Sequence, residues 1–433
     1  MKPIIQYTYL FCYLKVALLL VFLTINSNLA AAPEMRIWTS TAGTTLEAAL
    51  IKVDGSNVVL LGSDGVERML PIRLLSVADQ SHIEEKSRPR GEPRIASIDA
   101  EAGRISGPVK CTHDAKWSYY IYLPKSFHDA QQWPVWYVFS PGGGQGGNAL
   151  QRYIEGAELI NAIVVLSVES KNSFPDGDLA VQAMVRDVNT HVPIIPGLAF
   201  SSGFSGGGRM AYWLAEADRN IAGVLACGTN HGIYPARENV VFRNAKLRSS
   251  TYVYSLIGTN CFNRTGAFQS HKSFSRAFRL RFFPGGHVWA FSNLIAEGMA
   301  RVFGAGLQSL NHSDADRLRR AYSLTMWEFT QKKIETEPWE AHYWADFLKD
   351  FKTDSGVQEQ ALRLERELRT NPLVDLTKKA ERDLLRFGDS HFQIFYTEDR
   401  KENPNRSRDA QRLSDTYSEI PYGELFRLLG DKS

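Results

Sequence analysis

The segment 198–208 constrains this chain more than any other. Apolar Leu198, Ala199 and Phe200 read as the end of a strand, and Gly203, Phe204, Ser205, Gly206, Gly207 and Gly208 follow directly. A G-x-S-x-G run between a strand and a helix-length segment forces a sharp turn, and glycines on both sides of the serine let the backbone pass without a Cβ clash. Such a turn holds the serine in a strained conformation with its hydroxyl at the end of a sheet, so the neighbouring segments must supply that sheet.

Residues 119–123, 135–139, 163–168, 198–200, 221–226 and 252–257 are short, mostly apolar runs rich in β-branched or aromatic residues, and segments such as 179–192 and 208–217 between them have helical length. Strands alternating with helices predict a mostly parallel sheet covered on both faces. The 433 residues exceed one typical domain, and 44% hydrophobic with 22% charged residues is an ordinary globular balance. A net charge of +3 without a long basic block offers no electrostatic support for nucleic acid binding.

The ends of the chain read differently. Lys2 and Lys15 precede an apolar run over 16–23, followed by Asn26, Ser27, Asn28 and small Ala30, Ala31 and Ala32. This is the pattern of a secretory signal peptide, expected to span 1–32. The apolar run is shorter than the ~20 residues of a membrane span, and Cys12 precedes it, so neither a stable membrane insertion nor a lipid anchor is expected after cleavage. A secreted or periplasmic protein is the expectation. Cys111, Cys227 and Cys261 then remain, too few for a disulfide framework and without zinc-site spacing.

Residues 33–83 alternate short β-type runs with turn signals at Asp54-Gly55-Ser56-Asn57 and Ser63-Asp64-Gly65, which predicts a small β barrel or meander. Arg36, Trp38, Thr39, Gly43, Ala48, Val58, Leu60, Asp64, Gly65, Pro71, Leu74, Ser76, Asp79 and Gln80 together resemble the Sla homology domain 1 of endocytic adaptors, a resemblance that implies a peptide or protein partner. The polar stretch 84–106, with Pro89 and Pro93, reads as a linker. From 309 to 433 the strands disappear. Leu318, Ala321, Tyr322, Met326 and Phe329 recur at helical spacing, Ser313 with Asp316 suits a helix start, Pro338 opens another helix, and 362–368 and 373–387 read as two more. The charged tail 398–408 is expected to be mobile.

The chemistry gathers in 107–308. Trp133 to Phe139 run straight into Ser140, Pro141, Gly142, Gly143, Gly144 and Gln145, a strand followed by a glycine loop. Such a loop brings a backbone N–H to a developing oxyanion, with Gly206 as second donor. Gly143 is the expected loop donor, because Pro141 has no N–H. Far downstream, His287 follows the short run 280–283 and a Pro-Gly-Gly turn, a suitable place for a general base. His231 and His271 are weaker alternatives.

At the glycine loop with Gln145, the serine elbow, Ala222-Gly223-Val224 and Gly285-Gly286-His287 with Trp289, the central portion resembles α/β-hydrolases of the feruloyl esterase and polyhydroxybutyrate depolymerase type. The resemblance implies an α/β-hydrolase sandwich, here with a small N-terminal β domain and a C-terminal helical region. It also implies ester hydrolysis through an acyl-enzyme, with Ser205 as nucleophile and His287 as base. In similar hydrolases an aspartate follows the glycine that ends the preceding strand by three residues, and Cys261 fills that slot. Between Ser205 and His287 the acidic residues are Glu216, Asp218 and Glu238 alone. Glu238 could reach across as a displaced acid, Asn260 or Asn263 could orient the ring by accepting a hydrogen bond, or an acid could come from elsewhere in the chain.

Two readings follow. The first is a serine carboxylic-ester hydrolase acting on an acylated polymer or small ester, with no cofactor or metal; Trp117, Trp133, Trp136 and Trp289 would suit sugar or phenolic rings, and equally a core. The second is a weak or inactive hydrolase fold retained as a binding module, favoured by the missing aspartate.

Overall fold

The computed structural model describes residues 34–430 apart from 41–42, 55–56, 77–78, 80–81, 84–97, 130, 232–246, 274–276, 313, 354 and 393–404. The expected signal peptide and Glu238 lie outside the described residues, as does Ser313. The chain divides into two compact units, Met1–Leu75 and Ser76–Ser433.

In the first unit β1 (Met35–Thr39), β2 (Thr45–Asp54), β3 (Asn57–Gly62) and β4 (Glu67–Pro71) form an antiparallel meander in that order. Asp64 shapes the β3–β4 turn by accepting from Val66 N at 3.0 Å and pairing with Arg68. An antiparallel bridge from Ser40 to Leu75 curls the meander toward closure. Trp38 anchors one face, buried and donating its Nε1–H to Ala48 O at 2.9 Å. Ser76 and Asp79, which share the Sla-type pattern, fall beyond the division between the units.

The second unit is built on eight strands: β5 (Ile105–Lys110), β6 (Ser118–Tyr122), β7 (Trp133–Phe139), β8 (Ile163–Ser167), β9 (Ile194–Phe204), β10 (Ile221–Cys227), β11 (Tyr252–Gly258) and β12 (Phe278–Phe283). Their spatial order is β12-β11-β10-β9-β7-β8-β6-β5. All neighbours from β8 to β12 are parallel, while β6 runs antiparallel to β5 and β8. With the serine turn at the end of β9, this is an α/β-hydrolase sheet. The expected linker extended to 106, yet Ala102 bridges Leu123 and β5 starts at Ile105, so the end of that stretch is part of the sheet.

Every residue of β7 is buried, as both faces of the sheet are covered. The two-residue period sends Trp136 and Val138 to one side, against α1 (Ile154–Ile160) and α5 (Ser292–Ser309). Val135, Tyr137 and Phe139 go to the other, against α2 (Gly177–His191) and α3 (Gly206–Ala217). Trp136 stacks on Phe200 at 4.9 Å, and Trp117 and Trp133 are also buried. These three tryptophans belong to the core, each contributing about 2–3 kcal/mol by burial, and not to a ring-binding surface.

After α4 (Arg264–Ser273) and α5 come α6 (Ala315–Gln331), α7 (Pro338–Leu348), α8 (Val357–Leu368), α9 (Pro372–His391), α10 (Arg406–Thr416) and α11 (Pro421–Gly430). Pro338 and Pro372 stand in the first helical turns, where a missing N–H costs nothing. Arg406–Arg408, expected to be mobile, opens α10. Tyr322, Met326, Trp344 and Phe351 join the same core cluster as Trp136, so the aromatic stripe of these helices is core and continues that of the sheet. Arginines of β12 bind the helices as well. Arg281 reaches Glu297 at 2.7 Å and Glu340 at 2.6 Å, and Arg279 reaches Glu381 at 2.9 Å.

Candidate active site

Ser205 has φ 53° and ψ −118°, the strained conformation expected of the elbow, at a cost of order 1–3 kcal/mol. The glycines around it are required by close packing. A Cβ on Gly207 would lie 2.2 Å from Phe139 O, and one on Gly203 would lie 2.5 Å from Gly207 C. Ser205 N–H donates to Cys227 O at 2.9 Å, tying the turn to β10. The residue thus stands at the C-terminal edge of the sheet and at the positive end of α3, where a developing anion is favoured.

His287 reaches Ser205 from the loop after β12, with Nε2 2.8 Å from Ser205 Oγ. That loop is locked onto the end of β11: Asn260 N–H donates to Gly285 O at 2.8 Å, and a Cβ on Gly258 would lie 2.1 Å from Gly286 O. Aromatic rings hold the imidazole between them, Phe204 at 4.7 Å and Phe262 at 4.0 Å between centroids. Burial holds the His287 pKa below the ordinary imidazole value, and the Arg209 guanidinium adds to the shift. The ring is therefore neutral at pH 7 and able to accept a proton.

The other ring nitrogen meets sulfur. Cys261 Sγ is 3.1 Å from His287 Nδ1. For Nε2 to accept from Ser205, Nδ1 must carry the proton, so Nδ1–H donates to the thiol. Burial pushes the Cys261 pKa up, against smaller opposing effects from the Asn263 N–H and Arg264. The third member of this row is a neutral sulfur acceptor, which selects the tautomer and supplies no charge. Asn263, an expected orienter, does not take that place, because its Nδ2 donates to Gly228 O at 2.7 Å and its backbone N–H to Cys261 Sγ at 3.4 Å. It supports the sulfur from below. Asn260 contributes through its backbone, with its side-chain Oδ1 buried and unpaired. Among the described residues no carboxylate bonds His287.

Gly206 opens α3, where a backbone N–H has no intrahelical acceptor. Gly143, the expected loop donor, has φ 81° and spends its N–H on Ser140 O at 3.0 Å. The tight turn that carries the glycine loop to the elbow closes through that bond, and Gly144 N–H is likewise engaged with Val168 O at 2.9 Å. Gly142 N–H, between Pro141 and the two engaged amides, has no acceptor among the described residues. The segment after β8 braces this loop through Asn172 N–H to Pro141 O at 2.9 Å, and the Asn172 side chain fills the space beside Gly206.

The alternative histidines lie elsewhere. His231 Nε2 pairs with Glu216 at 2.6 Å and rests edge-on to Tyr212, while His271 sits on α4 against Phe278. Trp289 is half-buried and packs on Phe204 at 5.2 Å. Sequence reasoning missed Phe262, Gly142 and Asn172. Phe262 carried a signal, since it directly follows the residue in the acid slot; the other two are set by loop closure.

No family model matches the chain, and no curated protein matches it. Among solved structures, one titled ferulic acid esterase is 16% identical, covering 43% of this chain and 92% of its own, with a TM-score of 0.34. The S-formylglutathione hydrolase FrmB of Staphylococcus aureus is 14% identical over 48% of this chain and 100% of its own, TM-score 0.35. The CE1 ferulic acid esterase AmCE1/Fae1A of Anaeromyces mucronatus is 16% identical over 50% and 97%, TM-score 0.36. The α/β-hydrolase assignment of the second unit stands on its own strand order, its elbow and the serine–histidine contact.

Proposed function

We propose that the chain is a serine carboxylic-ester hydrolase working through an acyl-enzyme on an acylated polymer, such as an acylated polysaccharide, or on a small ester. The observation that carries this reading is the 2.8 Å contact between a strained, elbow-mounted Ser205 and a neutral His287. Ser205 Oγ attacks the ester carbonyl as its proton passes to His287 Nε2, and the carbonyl electrons move onto oxygen. The Gly206 N–H and an open amide of the glycine loop, Gly142 in this conformation, receive that oxyanion. Collapse expels the alcohol, which takes the proton from His287. Water then repeats the sequence on the acyl-Ser205 and releases the acid. Among the described residues the imidazolium formed in each half is held by Nδ1–H to sulfur alone, so the rate is expected to be modest.

Export to a secreted or periplasmic location is part of the proposal and rests on the pattern of residues 1–32. The N-terminal meander is proposed as a peptide- or protein-binding module, on its Sla-type residues. The neutral sulfur at Nδ1 favours the second reading, a weakly active hydrolase fold serving as a binding unit. One experiment separates the two. Purified protein is treated with a fluorophosphonate probe and assayed with a short activated ester, alongside Ser205→Ala. Labelling and turnover that both vanish in Ser205→Ala support the hydrolase. Labelling that persists in the variant defeats the nucleophile assignment, and a wild type that neither labels nor turns over leaves the binding unit.

A further inference from the structure

We propose that Phe262, Val288 and Phe291 form a lip that receives the alcohol side of the ester, and that the alcohol is therefore apolar rather than a sugar. This rests on the ester-hydrolase reading and narrows its substrates to esters of apolar alcohols, excluding the acylated polysaccharides that the reading admits.

Among the described residues the exposed large apolar side chains of the second unit are Leu179, Phe262, Val288, Phe291 and Leu324. Phe262 touches the His287 ring, Val288 is its chain neighbour and Phe291 follows four residues after it. Phe262 is 68% exposed, Phe291 55% and Val288 52%. Phe262 lies over the imidazole at 4.0 Å, Val288 follows His287 in the chain, and Phe291 is anchored edge-on to buried Phe283 at 5.8 Å. Isolated exposed apolar residues are ordinary, but a cluster at the rim of a reactive pair marks a binding surface.

Proton transfer decides which half of the substrate meets the lip. His287 must return its proton to the leaving oxygen, so that oxygen comes within about 2.6–3.2 Å of Nε2. The group attached to it continues past the imidazole, over Phe262 and toward Val288 and Phe291. The carbonyl oxygen faces the other way, toward Gly206 and the glycine loop. Exposed Gln145, Lys171 and Asn172 lie on that side, and Asn172 touches Gly206. The surroundings of Ser205 are therefore polar on the oxyanion side and apolar on the leaving-group side. A sugar hydroxyl leaving over the lip would exchange hydration for the aromatic and aliphatic carbon of Phe262, Val288 and Phe291.

The test keeps the acyl group constant and varies the alcohol. With the full chain, kcat/KM is measured for methyl, butyl and benzyl acetate and for an acetylated cello-oligosaccharide, esters of alcohols that differ far more in polarity than in leaving ability. Benzyl acetate is expected to exceed methyl acetate by about tenfold or more, the scale of discrimination an apolar pocket provides, with the sugar ester no better than methyl acetate. Phe262→Ser and Phe291→Ser should each lower the benzyl-to-methyl ratio about fivefold, mainly through KM, and Phe262→Leu should restore most of it. Equal rates across the series, or a preference for the sugar ester, would overturn the proposal. So would variants that lower kcat equally for every ester, the mark of a ring that merely supports His287. Absence of any Ser205-dependent turnover, with no phosphonate labelling, would instead defeat the ester-hydrolase reading on which the lip depends.

Discussion

At the residue scale the decisive position is 261. Two donors already point at its sulfur, His287 Nδ1–H at 3.1 Å and Asn263 N–H at 3.4 Å. A carboxylate would find the same donors and add a charge opposite the imidazolium. Replacing the triad aspartate by an amide costs about 10⁴ in rate in serine proteases. Cys261→Asp is accordingly expected to raise kcat/KM for a small ester by at least ~10-fold, a conservative part of that range; no gain would mean that another group already supplies the charge. The pH profile gives a second check. Because burial depresses the His287 pKa, the base is mostly neutral at pH 7, and activity should fall as pH drops through a value below 6.5. Above that, kcat/KM should stay level through pH 9, since burial keeps the Cys261 thiol protonated past its ordinary value of 9.0. An upward step between pH 8 and 9 would reveal a thiolate stabilising the imidazolium and contradict the neutral-sulfur assignment.

At the scale of the element, the strand–elbow–helix unit distinguishes two adjacent glycines. An alanine inside a helix normally gains about 0.5–1 kcal/mol over glycine. At Gly207 the new methyl would meet the backbone oxygen of Phe139 at 2.2 Å, and neither strand nor helix can yield. Overpacking of about 1–3 kcal/mol outweighs the gain, so Gly207→Ala should lower Tm by several degrees. At Gly206 the obstacle is the exposed Asn172 side chain, which can rotate away. Gly206→Ala should leave Tm nearly unchanged, as thermal unfolding of the pair would establish. This unit was legible in the sequence because glycine spacing and an apolar lead-in specify it locally. The donor state of Gly143 was missed, although Ser140-Pro141-Gly142-Gly143 has the Pro-Gly pattern of a β-turn whose closing bond, Gly143 N–H to Ser140 O, consumes that donor.

At the scale of the molecule, the C-terminal helices are part of the core of the second unit. Phe268 of α4 stacks on Phe392 at 5.5 Å and presses on Gly388, and both join a buried cluster that contains Cys261. Trp344 and Phe351 complete the core above the sheet, and Glu340 joins Glu297 on Arg281. Truncation would expose that core, in which each large side chain contributes about 2–3 kcal/mol by burial. A chain ending at 312 is therefore expected to be insoluble or unfolded by circular dichroism, and a soluble product that labels at Ser205 would contradict this. At the other end, a chain beginning at Ser76 should keep phosphonate labelling, whereas one beginning at Gly107 lacks the start of β5 and the Ala102 bridge and should be less stable.

The sequence by itself determined the alternation of strand and helix and the elbow at Ser205, and it singled out His287, which meets that serine at 2.8 Å, because these follow from local periodicity, glycine placement and chain order. It also exposed the missing aspartate. Only the tertiary structure decided what replaces it, that Asn263 faces Gly228 while Cys261 faces the imidazole, and that Phe262 covers the ring and remains exposed. It likewise joined the last helices to the core. The physical reason is range. Backbone conformation is dictated by near neighbours, whereas which side chain completes a hydrogen bond across 26 residues, or fills a core across 100, depends on how the sheet brings distant segments together.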